Sequence, residues 1–100
     1  MSVTISCENK IVTAYIAGDI DHHSAKNMRE KIDLAIDSYS PDLLIMDFKD
    51  VMFMDSSGIG LIMGRYKLME SSGGRVKVTN MSKGIARVMQ LAGLNKLGII

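Results

Sequence analysis

Two hydroxyls stand beside a carboxylate in Phe53-Met54-Asp55-Ser56-Ser57-Gly58-Ile59-Gly60, where a short apolar run gives way to helical spacing. Upstream, Val51 to Met54 is brief and apolar; downstream, Ile59, Ile62, Met63, Tyr66 and Met69 recur with helical periodicity, which places a helix start at Asp55 to Ser57. The first amides of a helix have no intrahelical acceptor. Asp55 or Ser56 can therefore cap the helix by accepting a bond from one of them. Alternatively, a serine at this point can stand clear of the surface as a substrate for another protein's chemistry.

Chemistry of the chain's own is poorly supplied. Nucleophilic catalysis at Ser56 would need a base, and the one source is His22 or His23 with Asp19 or Asp21, brought close by folding; a GxSxG elbow is absent. Adjacent histidines on a turn point apart, and with two His and one Cys in the chain no metal set is expected. Gly58, Gly60 and Gly64 suggest a phosphate-binding loop, but a GxGxxG fingerprint needs glycine at position 63, which is Met63. The strand read at Val76 to Thr79 also lacks a terminal acidic residue for a ribose. No catalytic residue, cofactor or metal is assigned, and Gly60 and Gly64 are read as places where the helix packs closely.

Phe-Met-Asp-Ser-Ser-Gly-Ile-Gly, continued by Leu61-Ile62-Met63-Gly64-Arg65-Tyr66-Lys67, resembles the phosphorylation-site signature of bacterial anti-anti-sigma factors, the single-domain members of the STAS family. Gly18-Asp19-Ile20-Asp21-His22-His23-Ser24-Ala25 is similar to that family's first strand-to-helix junction, and Leu91-Ala92-Gly93-Leu94 to its last. The resemblance covers nearly the whole chain, and Asp21-His22-His23 with the match through Tyr66-Lys67 most resembles the sporulation branch.

The resemblance implies an anti-sigma factor antagonist. Unphosphorylated, it would bind an anti-sigma factor with serine kinase activity and free the sigma factor; phosphorylation of Ser56, the serine after the aspartate, would end binding until a serine phosphatase restored it. Asp21, Asp55, Ser56, Ser57 and Gly58 are the partner-binding candidates, with a helix cap as the alternative for Asp21. A competing reading keeps the fold without the switch, as a structural or regulatory STAS module of a larger signalling or transporter assembly.

Composition agrees with a regulator that works through proteins. One hundred residues without a repeat make one domain, 1–100. Net charge is +1 from 12 basic and 11 acidic residues, without the basic stripe that direct nucleic-acid binding requires. No apolar run approaches the roughly 20 residues of a spanning helix, and Met1-Ser2-Val3-Thr4 does not open a secretory signal. A cytoplasmic protein with no membrane contact is expected. Cys7 is alone and, in alternation with Val3 and Ile5, is read as a buried small side chain. Nine methionines suit core packing, while Met52 and Met54 beside the serines could instead offer adaptable contact to a partner.

The elements that must carry these residues follow from periodicity. Val3, Ile5, Cys7 and then Val12, Ala14, Ile16 alternate about a turn at Glu8-Asn9-Lys10, a hairpin ended by Gly18. Ala25, Met28, Ile32, Ala35, Ile36 and Tyr39 share a helical face opposite Lys26, Arg29, Glu30, Lys31 and Asp33; Asp21 or Ser24 caps that helix and Pro41 follows it. Leu43-Leu44-Ile45-Met46 reads as a parallel strand buried on both faces. After the second helix, stopping at Ser71 to Gly74, come a strand at Val76 to Thr79 and a helix from Ser82 with Gly93 at its carboxyl end. Leu97 to Ile100 completes an α/β domain with a central mixed sheet of about five strands, an amino-terminal antiparallel hairpin and three helices. Gly18 to Ser24 and Asp47 to Ser57 should meet at one sheet edge. The resemblance implies a further last helix that is not expected within these residues, whether the chain is short or shortened, and apolar surface left uncovered there would favour self-association.

Overall fold

The computed structural model describes residues 2–100. Strands β1 (Val3–Glu8) and β2 (Ile11–Ala17) form the expected hairpin. Its loop is the pair Asn9 and Lys10, with φ of 53° and 65°, the left-handed conformation that lets a two-residue turn match the twist of its strands. The chain continues through α1 (His22–Tyr39), β3 (Leu43–Asp50), α2 (Ser56–Ser71), β4 (Arg75–Thr79), α3 (Lys83–Leu91) and a 3-10 turn at Leu94–Leu97. In the sheet order β1-β2-β3-β4, β1 runs antiparallel to β2, and β2, β3 and β4 are mutually parallel.

Register aligns Val12, Leu44 and Val76 in one row and Ala14, Met46 and Val78 in the next. All six are buried, and α1 and α2 cover them with Met28, Ile32, Ala35, Leu61, Ile62 and Met69. Each large side chain so enclosed stabilises the fold by about 1.5–3 kcal/mol. The alternate rows, Thr13 with Ile45 and Lys77 and Tyr15 with Asp47 and Thr79, are half-buried or exposed. Leu43 to Met46 is therefore covered on one face, not two: Leu44 and Met46 are enclosed, whereas Leu43 and Ile45 remain half-buried. A continuous apolar run does not reveal on which side the crossing helices will lie.

Cys7 departs from expectation in the same way. Burial fades along β1 from Val3 through half-buried Ile5 to exposed Cys7, because this is the edge strand and only β2 flanks it. The carboxyl-terminal segment is not a fifth strand either. Gly93 and Gly98, at φ of 87° and 72°, break the chain twice, so the segment joins β4 through a single backbone bond, Val78 N–H to the Ile99 carbonyl at 2.8 Å. Leu94 and Ile99 are nevertheless fully buried and close the core beside α3, which contributes Ile85 and Met89. Gly93 follows the end of α3 in the left-handed conformation expected of it.

Candidate functional site

The junction after β2 and the junction before α2 are joined by main-chain bonds. Gly18 N–H donates to the Asp50 carbonyl at 3.0 Å, Ile20 N–H to the Phe53 carbonyl at 2.9 Å, and Asp55 N–H to the Ile20 carbonyl at 3.1 Å. Ile20 and Met54 thus form a one-residue parallel bridge beyond the ends of the strands. Both side chains are buried, and the amino termini of α1 and α2 are held at one sheet edge, as the order of strands and helices predicts.

Each helix start carries an aspartate cap. Asp21 Oδ1 accepts from the amides of His23 and Ser24, both at 2.9 Å, while Ser24 Oγ accepts from Asp21 N–H at 3.0 Å and donates to the Asp19 carbonyl at 2.7 Å. This is a capping box with serine in the reciprocal position. The Ser24 amide, aided by that of His23, holds the Asp21 carboxyl below the usual carboxylate range. Asp55 caps α2 by accepting from the Ser57 amide at 2.8 Å. The Ser56 hydroxyl is not needed for the cap, and Ser56 stands as the exposed first residue of α2.

Ser57 is half-buried and Gly58 is buried. A Cβ on Gly58 would lie 2.6 Å from Met54 Sδ, so close approach, rather than an unusual backbone angle, selects glycine there. Met52 and Phe53, just before the serines, are 84% and 53% exposed. They are exposed apolar side chains that methionine content alone could not locate, whereas Met54 is buried. Asp47 accepts from the Lys49 amide and from Asn80 Nδ2, each at 2.9 Å.

Gly60 and Gly64 do not serve close packing. A Cβ at either would meet nothing within 4 Å, and beside them α1 and α2 diverge into a groove of about 510 Å³. His22, Lys26 and Arg29 form its α1 wall, with Ser57 and Arg65 from α2. Arg65 is only 7% exposed, with Nε 2.8 Å from Asp33 Oδ1. Burial lowers its pKa, Asp33 raises it and Arg29 lowers it again. Sequence reasoning placed Asp33 on a solvated face and passed over Arg65, although Arg65 falls on the inward stripe of Ile62 and Met69.

No group of three or more His, Cys, Asp or Glu among the described residues could hold a metal ion, and no described helix is long and apolar enough to cross a membrane. The edge instead presents an exposed hydroxyl on a helix start, flanked by apolar side chains, which suits recognition and modification by another protein.

Comparison with known proteins identifies the family of the fold. Residues 2–99 match the family model of the STAS domain. An anti-sigma F factor antagonist from Paenibacillus polymyxa is 32% identical over 97% of this chain and 85% of its own length. Among solved structures, the unphosphorylated anti-sigma factor antagonist SpoIIAA is similar at 33% identity and a TM-score of 0.81, covering 92% of this chain and 81% of that one. The phosphorylated form of the Bacillus cell fate determinant SpoIIAA is similar at 33% identity and a TM-score of 0.76, over 94% and 86%.

Proposed function

The chain belongs to the STAS domain family, and from that premise we propose that it is an anti-sigma factor antagonist whose binding is switched by phosphorylation of Ser56. In the unphosphorylated form it binds an anti-sigma factor, which is also the serine kinase, and so frees a sigma factor. Once Ser56 is phosphorylated the two part, and a serine phosphatase resets the cycle. The protein is a binding switch and not an enzyme. The observation that carries this reading is the exposed Ser56 at the first position of α2, its cap already supplied by Asp55.

The physics of that position supports a switch without refolding. A phosphate adds a charge of about −1.5 to −2 on a helix start whose free amides and dipole favour an anion. The domain can hold the phosphoserine, while a partner fitted to a small neutral side chain beside Asp55 meets new bulk and charge. Met52 and Phe53 supply apolar contact, with Asp55, Ser57 and Gly58 shaping the turn and Asp21 on the adjoining helix start.

Incubating the protein with ATP and its cognate anti-sigma factor tests this directly. One phosphate should appear, mapped by mass spectrometry to Ser56, and the complex should dissociate as it accumulates. A chain left unmodified by a kinase that it binds would overturn the reading.

A further inference from the structure

The groove between α1 and α2 has features that folding does not explain. Glycine inside a helix costs up to about 1 kcal/mol relative to alanine, yet Gly60 and Gly64 sit one turn apart in α2 where a methyl group would touch nothing. Neither a tight turn nor close packing accounts for them. They lower one wall of the groove so that another backbone can approach α2.

The opposite wall is cationic. No acidic residue lines the groove among the described residues, while Lys26 and Arg29 line it from α1 and Arg65 from α2. Arg65 is 93% buried, since 7% of it is exposed, and it is ion-paired with Asp33 without a well-formed hydrogen bond at Nε. Nε and Asp33 Oδ1 are close but not aligned as donor and acceptor, and Nη1 reaches the Leu61 carbonyl only at 3.5 Å. A guanidinium has five N–H donors arranged to meet a carboxylate.

We propose that this groove receives an acidic segment of the anti-sigma partner, whose carboxylates meet Lys26, Arg29 and Arg65 while its backbone passes over Gly60 and Gly64. The inference rests on the switch reading above and extends its contact surface along α2. Charge complementarity selects the occupant, and Ser57 joins the groove to the modified residue next to it. A phosphate on Ser56, adjacent in sequence to the groove-lining Ser57, competes with the acidic segment for these cations, adding to the release.

Affinity for the cognate anti-sigma factor, measured across a salt series, tests the proposal on the full chain. Lys26→Gln with Arg29→Gln should weaken binding about tenfold and flatten its salt dependence. Gly60→Ala with Gly64→Ala should raise the unfolding temperature yet weaken binding by a similar factor, an opposition that a purely structural role would not produce. If wild type binds and both double variants match it, the groove proposal fails and the switch survives. If groove resonances move with millimolar inorganic phosphate while the variants keep full partner affinity, the occupant is a small anion and the proposal is overturned. If wild type does not bind the anti-sigma factor at all, the switch reading falls first and the groove with it.

Discussion

Met54 Sδ occupies the space beside Gly58 that a side chain would need, 2.6 Å from the position of a Cβ, with Met54 Cβ itself at 3.0 Å. The turn into α2 is therefore built by the contact of a buried methionine with the helix's third residue. The same methionine bridges to Ile20 across the edge, so the presentation of Ser56 and the docking of the two helix starts depend on one side chain.

Gly58→Ala should accordingly destabilise the protein by about 1–2 kcal/mol through overpacking, although alanine is the better helix former. Gly60→Ala, on the same helix with nothing near its Cβ, should stabilise by up to about 1 kcal/mol. Urea unfolding of both variants checks the contrast; shifts in the same direction would contradict the packing argument.

Ser56→Asp should weaken binding to the anti-sigma factor tenfold or more while the unfolding midpoint stays near that of wild type. The single charge of the new Asp about 6 Å from one carboxylate costs on the order of 0.7 kcal/mol in water and about 2.8 kcal/mol at an effective dielectric near 20, and the doubly charged phosphate about twice that. Ser56→Ala should bind and never be released by ATP. Calorimetry on the three proteins decides it, and full affinity in a folded Ser56→Asp protein would exclude an electrostatic switch.

The Asp21 cap should be visible in acid. Its carboxyl is held below the ordinary value of 3.8 by the Ser24 amide first, so its contribution is present above that value and is lost as pH falls through the lowered one. Asn is as good a cap as Asp, so Asp21→Asn should keep neutral-pH stability and lose this part of the acid dependence. If the same variant binds the partner as wild type does, Asp21 acts as a cap alone; weaker binding at unchanged stability makes it a contact as well.

Asp33→Asn should cost about 1–3 kcal/mol, because Arg65 remains enclosed with its charge less compensated. The loss is moderated because the Asp33 side chain is 37% exposed. Arg65→Met, which removes the buried charge and keeps its volume, should be less damaging. Thermal unfolding of the pair reports the order, and a reversed order would mean that Asp33 does not compensate the buried charge of Arg65.

What could be read from the chain was local. Alternation in Val12, Ala14 and Ile16, the helical stripe of Met28, Ile32 and Ile36, and aspartate before α1 and α2 are short-range patterns set by backbone geometry and hydrogen bonding, and all appear in the structure. So does the meeting of the Gly18 and Ser56 segments, which follows from strands and helices in alternation. The resemblance carried by Asp55-Ser56-Ser57-Gly58 belongs to this level, since one contiguous segment holds the serine, its cap and the glycine against Met54.

Tertiary structure decided what depends on neighbours distant in sequence. Whether Leu43 and Ile45 are enclosed, whether Cys7 lies under a helix, and whether Gly60 and Gly64 touch anything all turn on which face the helices cover and where they diverge. Arg65 meets Asp33 only because α2 lies beside α1, and neither residue's local pattern specifies the other. Sequence determined a capped helix start with a serine on it; packing determined that the serine stands clear, and that a cationic groove opens beside it.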